Sequence, residues 1–179
     1  MIPIEHSVTV IWQIKDGKRG HENQSRGLIQ AISKLRLVDC VEVDVRLQGA
    51  SWFDYLLGRR AKFSDLPQPN LIIGAGSQTH ATILAAGRAT QTPTIVMMAP
   101  PRGISSRFDL CIVPEHDGHN GSNVITTKGV LNLIELKTSK STNTGLFLIG
   151  GASKHHSWNG RQVIEQMSRI AEHSPEINW

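Results

Sequence analysis

The strongest constraint on this chain is a regular alternation of short apolar runs with segments of helical periodicity. The runs are Val8–Trp12, Val41–Val45, Leu71–Ile73, Thr94–Met98, Leu110–Val113, Asn123–Thr126 and Leu146–Ile149. Most are apolar at nearly every position rather than at every second one, the habit of parallel strands covered on both faces. Between them Leu28, Ile29, Ile32 and Leu35 recur at helical spacing, as do Val163, Ile164, Met167, Ile170 and Ala171. The stretch Thr79–Ala89 is alanine-rich and favours helix. Ser51-x-x-Asp54 predicts a capping box at the start of a short helix. The pattern as a whole predicts an α/β fold, a Rossmann-like, doubly wound and mostly parallel sheet with right-handed crossovers.

A chain of 179 residues suits one domain of ordinary size, or one domain plus part of another. The stretch Lys137–Gly145 contains no apolar residue and reads as a linker. The expected division is therefore a Rossmann-like domain over 1–136, a linker over 137–145, and the opening βα unit of a second domain over 146–179. A lone βα unit cannot bury both faces of its strand. The chain is thus expected to be the front part of a longer two-domain protein.

Composition narrows the function classes. No apolar run approaches the ~20 residues of a membrane span, and no signal peptide opens the chain, which predicts a cytoplasmic protein. Cys40 and Cys111 border or sit in apolar runs and are expected to be buried free thiols. A formal charge of +4 and a pI near 9.3 fit anionic ligands such as nucleotides, phosphosugars or acidic lipid surfaces. With 5% aromatics and no aromatic–basic interleaving, nucleic acid is not expected as a partner.

Two glycine loops carry the chemistry. Asp16-Gly17-Lys18-Arg19-Gly20-His21 follows the first apolar run, and Gly150-Gly151-Ala152-Ser153-Lys154-His155 follows the last. In each, glycine backbone, a cation and an imidazole come together where a strand hands over to a helix, the place where α/β proteins hold phosphorylated ligands. Gly17 and Gly20 permit a tight turn and close approach, and Lys18 supplies charge. His21 is expected at a helix N-terminus, where the dipole favours a neutral imidazole able to accept a proton. Gly150, Gly151, Ser153, Lys154 and His155 suit a diphosphate, although a plain cap for the last helix needs the same residue types. Neither loop matches a P-loop or a G-x-G-x-x-G dinucleotide fingerprint.

Weaker candidates follow two other apolar runs. Gly74-Ala75-Gly76-Ser77-Gln78-Thr79-His80 could contact a ligand from the sheet edge, with Ser77 as a helix cap the commoner role. Glu115, His116, Asp117 and His119 invite a metal reading, but neighbours on one loop cannot all converge on one ion. A hydrogen-bonding loop at a cleft is favoured, with Glu115 or Asp117 orienting an imidazole or holding a hydroxyl. Trp52-Phe53-Asp54-Tyr55-Leu56-Leu57, followed by Arg59-Arg60-Ala61-Lys62-Phe63, could seat a protein on an anionic membrane. The commoner role of such a segment is a helix with its apolar side in the core, and that is the expectation adopted.

Taken in order, these motifs resemble one family. Asp16-Gly-Lys-x-Gly-His-x-x-Gln24, Ile73-Gly-Ala-Gly76 with Thr79-His80, Phe108-Asp-Leu110 with Pro114-Glu-His-Asp117, Asn123-Val-x-x-Thr127 and Gly150-Gly-x-Ser-Lys-His155 with Trp158 resemble the mitochondrial-fission "elongated mitochondria" (ELM-type) family. That family comprises GT-B-like glycosyltransferases, some with older labels as nucleoside-diphosphate-sugar epimerases. The resemblance spans essentially the whole chain. It implies two Rossmann-like domains facing across a cleft, the first holding an acceptor and the second a nucleotide-sugar. By this analogy His21 is the catalytic base, with Glu115 and Asp117 assisting. Gly74, Gly76, Ser77, Thr79, His80 and His116 would line the acceptor cleft, and Ser153 and Lys154 would approach the donor diphosphate. The implied partners are a nucleotide-sugar co-substrate and a glycan or lipid-linked acceptor, with no other cofactor and no metal. A non-catalytic module that binds a protein or the inner face of a membrane is the alternative.

Overall fold

A computed structural model describes residues 8–59, 61–135, 139, 141–152 and 157–179. The chain divides into two compact units, Met1–Ile134 and Glu135–Trp179. In the first, six apolar runs become strands β1 (Thr9–Lys15), β2 (Val38–Asp44), β3 (Leu71–Ala75), β4 (Thr94–Met97), β5 (Leu110–Pro114) and β6 (Val124–Thr127). They form one parallel sheet in the order β2-β1-β3-β4-β5-β6. The helices are α1 (Arg19–Ser33), α2 (Val45–Gln48), α3 (Trp52–Leu57), α4 (His80–Thr90), α5 (Arg102–Ser105) and, in the second unit, α6 (Gly160–His173). The expected Rossmann-like architecture is present.

Strand alternation distributes the core between two layers. Trp12, Ile14, Val43, Ile72 and Val96 face one side, where Ile83 and Leu84 of α4 meet them. Ile11, Ile73 and Met97 face the other, against Ile29 of α1. Trp12 is fully buried; its ring lies 5.5 Å from Phe63 and its Nε1–H donates to the Pro67 carbonyl at 3.0 Å. Burying each such side chain contributes about 1.5–3 kcal/mol. With α1 and α4 on opposite faces, the chain winds outward from β1 to β2 and then back across β1 to β3. That reversal leaves a crevice at the carboxyl ends of β1 and β3.

The capping box forms as the spacing predicts. Ser51 Oγ accepts from the Asp54 N–H at 3.3 Å, and Asp54 Oδ2 accepts from the Ser51 N–H at 2.8 Å. The Ser51 N–H first, then its hydroxyl and Lys62, hold the Asp54 carboxyl down to about 2. Gly58, at φ +60°, terminates this helix in the left-handed conformation.

Other expectations are corrected. Leu35 does not face the core; α1 stops at Ser33, and Leu35 lies in the following turn, 85% exposed. Cys111 is buried, but Cys40 is exposed, because it lines an open groove beside α1 on β2, an edge strand with no neighbour beyond it among the described residues. Leu146–Ile149 forms no strand. Among the described residues of the second unit, Thr144 bridges Asn178 in parallel, and Phe147 stacks on Trp179 at 4.5 Å. A strand needs ladder partners along its length, and this unit offers Leu146–Ile149 none among the described residues. The last helix begins at Gly160, where Asn159 Oδ1 accepts from the Gln162 N–H at 3.2 Å. No helix among the described residues is long and apolar enough to cross a membrane.

Candidate functional site at the sheet switch point

The first glycine loop runs directly off the end of β1. Asp16, 5% exposed, turns its carboxylate back over the loop, and Oδ1 accepts from the Lys18 N–H at 3.1 Å. Oδ2 meets His21 Nδ1 at 2.7 Å. Helix α1 starts at Arg19, so His21 occupies its first turn. A carboxylate on Nδ1 selects the tautomer that carries its proton there and leaves Nε2 as the open lone pair. No described residue bonds Nε2, and the side chain keeps 19% of its surface exposed.

Below this first turn, Gln13 is buried in β1 and its Nε2 donates to Ser25 Oγ at 2.7 Å and to the Glu22 carbonyl at 3.2 Å. These two bonds tie the helix turn that carries His21 to the sheet. Sequence reasoning missed Gln13, and it placed Asp16 in the loop without a role. A lone glutamine inside an apolar strand is the available signal for the first, and a carboxylate five positions before the histidine for the second.

The β3 loop supplies the opposite wall. Gly76 has φ +87°, and a Cβ built there would fall on Nδ1 and Cε1 of His21. A glycine is therefore required twice, by the backbone conformation and by the imidazole packed against it. This contact joins the loops after β1 and β3, the two strands that flank the switch point.

Gly17 is likewise enforced. Its φ is +82°, and a Cβ would stand 2.5 Å from Arg46 Nη1. Arg46 is held by Asp44, whose carboxyl it lowers to about 2. Arg46 thus adds a guanidinium to the cations of Lys18 and Arg19 beside the loop, a group that sequence reasoning missed. Gly20 differs, being a helical residue at which an added Cβ would meet nothing within 4 Å, so its surroundings are open.

The remaining candidates separate into edge and core. Ser77 is exposed at the sheet edge but caps no helix with its side chain. Gly74 lies inside β3 between Ile14 and Ile83, a packing position. Thr79 and His80 are buried; Thr79 Oγ1 donates to the Gly76 carbonyl at 2.7 Å, and His80 packs edge-on to Phe108 at 5.6 Å. Burial pushes the His80 pKa down, so a neutral ring sits in the core rather than in a cleft.

Glu115, His116 and Asp117 are exposed in a 3₁₀ turn after β5, two strands from β3 and hence about 10 Å along the edge. The carboxylate that meets His21 is Asp16, not Glu115 or Asp117. His119 is buried and its Nε2 lies 2.8 Å from Ser105 Oγ. Between these loops Met98 adopts φ +71°, a left-handed conformation uncommon for a side chain of its size. Among the described residues no three His, Cys, Asp or Glu side chains converge as a metal site would need. Gly150 and Gly151 are exposed in irregular structure, and Ser153, Lys154 and His155 lie outside the described residues.

Several motif residues prove structural. Asp109 Oδ2 accepts from the Thr94 N–H and hydroxyl, both at 2.8 Å, stapling the entrance of β4. Asn123 Nδ2 donates to the carbonyls of Ser105 and Phe108. The profile of one family, described as mitochondrial fission ELM1, matches residues 19–179. The chain belongs to that family. The match takes in His21, Gly76 and the motifs that follow them, though not Asp16, Gly17 and Lys18, and it agrees with the resemblance drawn from the motifs. No curated protein and no solved structure matches this chain.

Proposed function

We propose that this ELM1-family chain supplies the acceptor side of a GT-B-type glycosyltransferase, with His21 as the base. The observation that carries the proposal is the Asp16–His21 pair, 2.7 Å apart at the switch point, with Nε2 bonded by no described residue. In the reaction, an acceptor hydroxyl oxygen forms a bond to the anomeric carbon of a nucleotide-sugar. The bond from that carbon to the diphosphate breaks, and the hydroxyl proton passes to His21 Nε2. Asp16 orients the ring and stabilises the imidazolium as it forms. Arg46, Lys18 and the first N–H groups of α1 favour negative charge at the same edge. The sugar donor would be held through Gly150, Gly151, Ser153, Lys154 and His155, as the family resemblance implies.

Thermal-shift titration with UDP-, GDP-, ADP- and CMP-sugars identifies the donor, and stabilisation by none of them counts against glycosyl transfer. With a donor in hand, His21→Ala is expected to lower kcat by about 10²–10⁴-fold. Asp16→Asn is expected to lower kcat with little change in KM, because it acts through His21. Full activity in His21→Ala removes the assigned base. Specific binding of a protein partner without any nucleotide-sugar affinity would instead favour the non-catalytic module.

A further inference from the structure

Helix α3 is amphipathic in the reverse sense. Positions 51, 54, 55 and 58 share one face of a 3.6-residue helix, and positions 52, 53, 56 and 57 share the other. The capping box requires Asp54 to turn inward, and Tyr55 packs against the α4 layer. Asp54 is therefore buried and Tyr55 half-buried, and the apolar side is outward. Trp52 is 44% exposed, Phe53 75%, Leu56 59% and Leu57 62%. This overturns the expectation that the segment would put its apolar side in the core. A single exposed leucine is ordinary; four large apolar side chains on one face of a six-residue helix mark an interaction surface.

Cations flank the helix where Asp54 and Tyr55 sit, behind that apolar face. Arg59 and Lys62 reach back to Asp54, at 3.9 and 3.1 Å, while keeping 63% and 43% of their side chains exposed. Arg88 and Arg107, both exposed, sit over the Tyr55 ring at 5.7 and 5.6 Å, and Trp52 meets the same ring edge-on. Between them opens a groove of about 330 Å³ lined by Tyr55, Arg88, Gln91, Arg107 and Asp109. The carboxylate that meets Arg59 and Lys62, Asp54, is buried beneath them.

We infer that the outward face of α3 docks on an anionic phospholipid bilayer. Phe53, Leu56 and Leu57 enter the boundary between headgroups and acyl chains. Arg59, Lys62, Arg88 and Arg107 lie at headgroup level, with the Arg88–Arg107 groove taking a lipid phosphate. The charge pattern selects this occupant, since a protein surface of ordinary composition offers no continuous plane of negative charge around an apolar interior. The docking is independent of the reaction at His21.

Flotation with vesicles of phosphatidylcholine alone, and of phosphatidylcholine mixed equally with phosphatidylglycerol, tests this directly. The chain is expected to float with the anionic vesicles and to be released as salt rises. Phe53→Ser with Leu57→Ser, both exposed, is expected to lower partition by at least ~10-fold with unchanged circular dichroism and Tm. Arg88→Ala with Arg107→Ala is expected to lower it by about fivefold per charge. His21→Ala is expected to float like the wild type, which separates failure of docking from failure of the catalytic proposal. Equal binding to neutral and anionic vesicles, no binding to either, or no effect of the Phe53/Leu57 change overturns the inference. So does a dimer that the Phe53/Leu57 change dissociates in the absence of vesicle binding, which assigns the face to a second copy.

Discussion

Replacing Gly76 by alanine tests the geometry of the site more sharply than removing any of its functional groups. Its backbone, at φ +87° and ψ 155°, lies in a region that is essentially confined to glycine. Holding a side-chain residue there costs about 1–3 kcal/mol. The added Cβ also lands on the His21 ring, and forcing a methyl into packed surroundings costs about 1–3 kcal/mol more. The expected destabilisation is about 2–6 kcal/mol, a large share of the roughly 5–15 kcal/mol available to a domain. Relief comes only if the imidazole swings away and breaks its 2.7 Å bond to Asp16.

Urea unfolding reads the stability, and the downfield Nδ1–H resonance of His21 in a proton NMR spectrum reads the bond. Gly20→Ala is the control, since its Cβ meets nothing and alanine suits the helix, so that variant is expected to gain about 0.5–1 kcal/mol and keep the resonance. A Gly76→Ala protein within ~0.5 kcal/mol of wild type, with the resonance intact, would refute the packing argument.

Further outcomes follow from groups outside the crevice. Ser51→Ala removes half of the capping box and is expected to cost about 1 kcal/mol in urea unfolding. Because the Asp54 carboxyl is held at about 2 in the folded chain, its contribution is present above the ordinary carboxylate range. That contribution is lost as pH falls from about 4 toward 2, and Asp54→Asn should flatten the Tm profile there. His80 behaves as a depressed histidine, since the unfolded chain takes up a proton that the buried ring resists. Stability is expected to be full above about pH 6.5 and to fall below it by at most ~1.4 kcal/mol per pH unit. A His80→Leu variant that kept the same slope would show that another group titrates.

The parts of the fold that depend on neighbouring residues were legible in the chain. Six strands, the capping box at Ser51 and Asp54, and the helices after β1 and β3 follow from periodicity and cap chemistry. Leu146–Ile149 has the same local signature and is not a strand, because a ladder needs partners that local sequence does not specify. Helix α3 shows the other limit. Its apolar content suggested a core-facing helix, but the cap and Tyr55 set its rotation, and the apolar side faced outward.

The candidate site divides along the same line. The sequence alone determined that Asp16, Gly17, Lys18 and His21 would share one loop at a strand end, because adjacency in the chain guarantees adjacency in space. Only the tertiary structure decided that β3, rather than β2, would lie on the far side of β1, and so bring Gly76 against His21. It also sent His80 into the core, left Glu115 and Asp117 two strands away, and brought Arg46 over Gly17. Strand order is set by the global burial of two apolar faces, a free energy summed over the whole sheet, and no local motif encodes it.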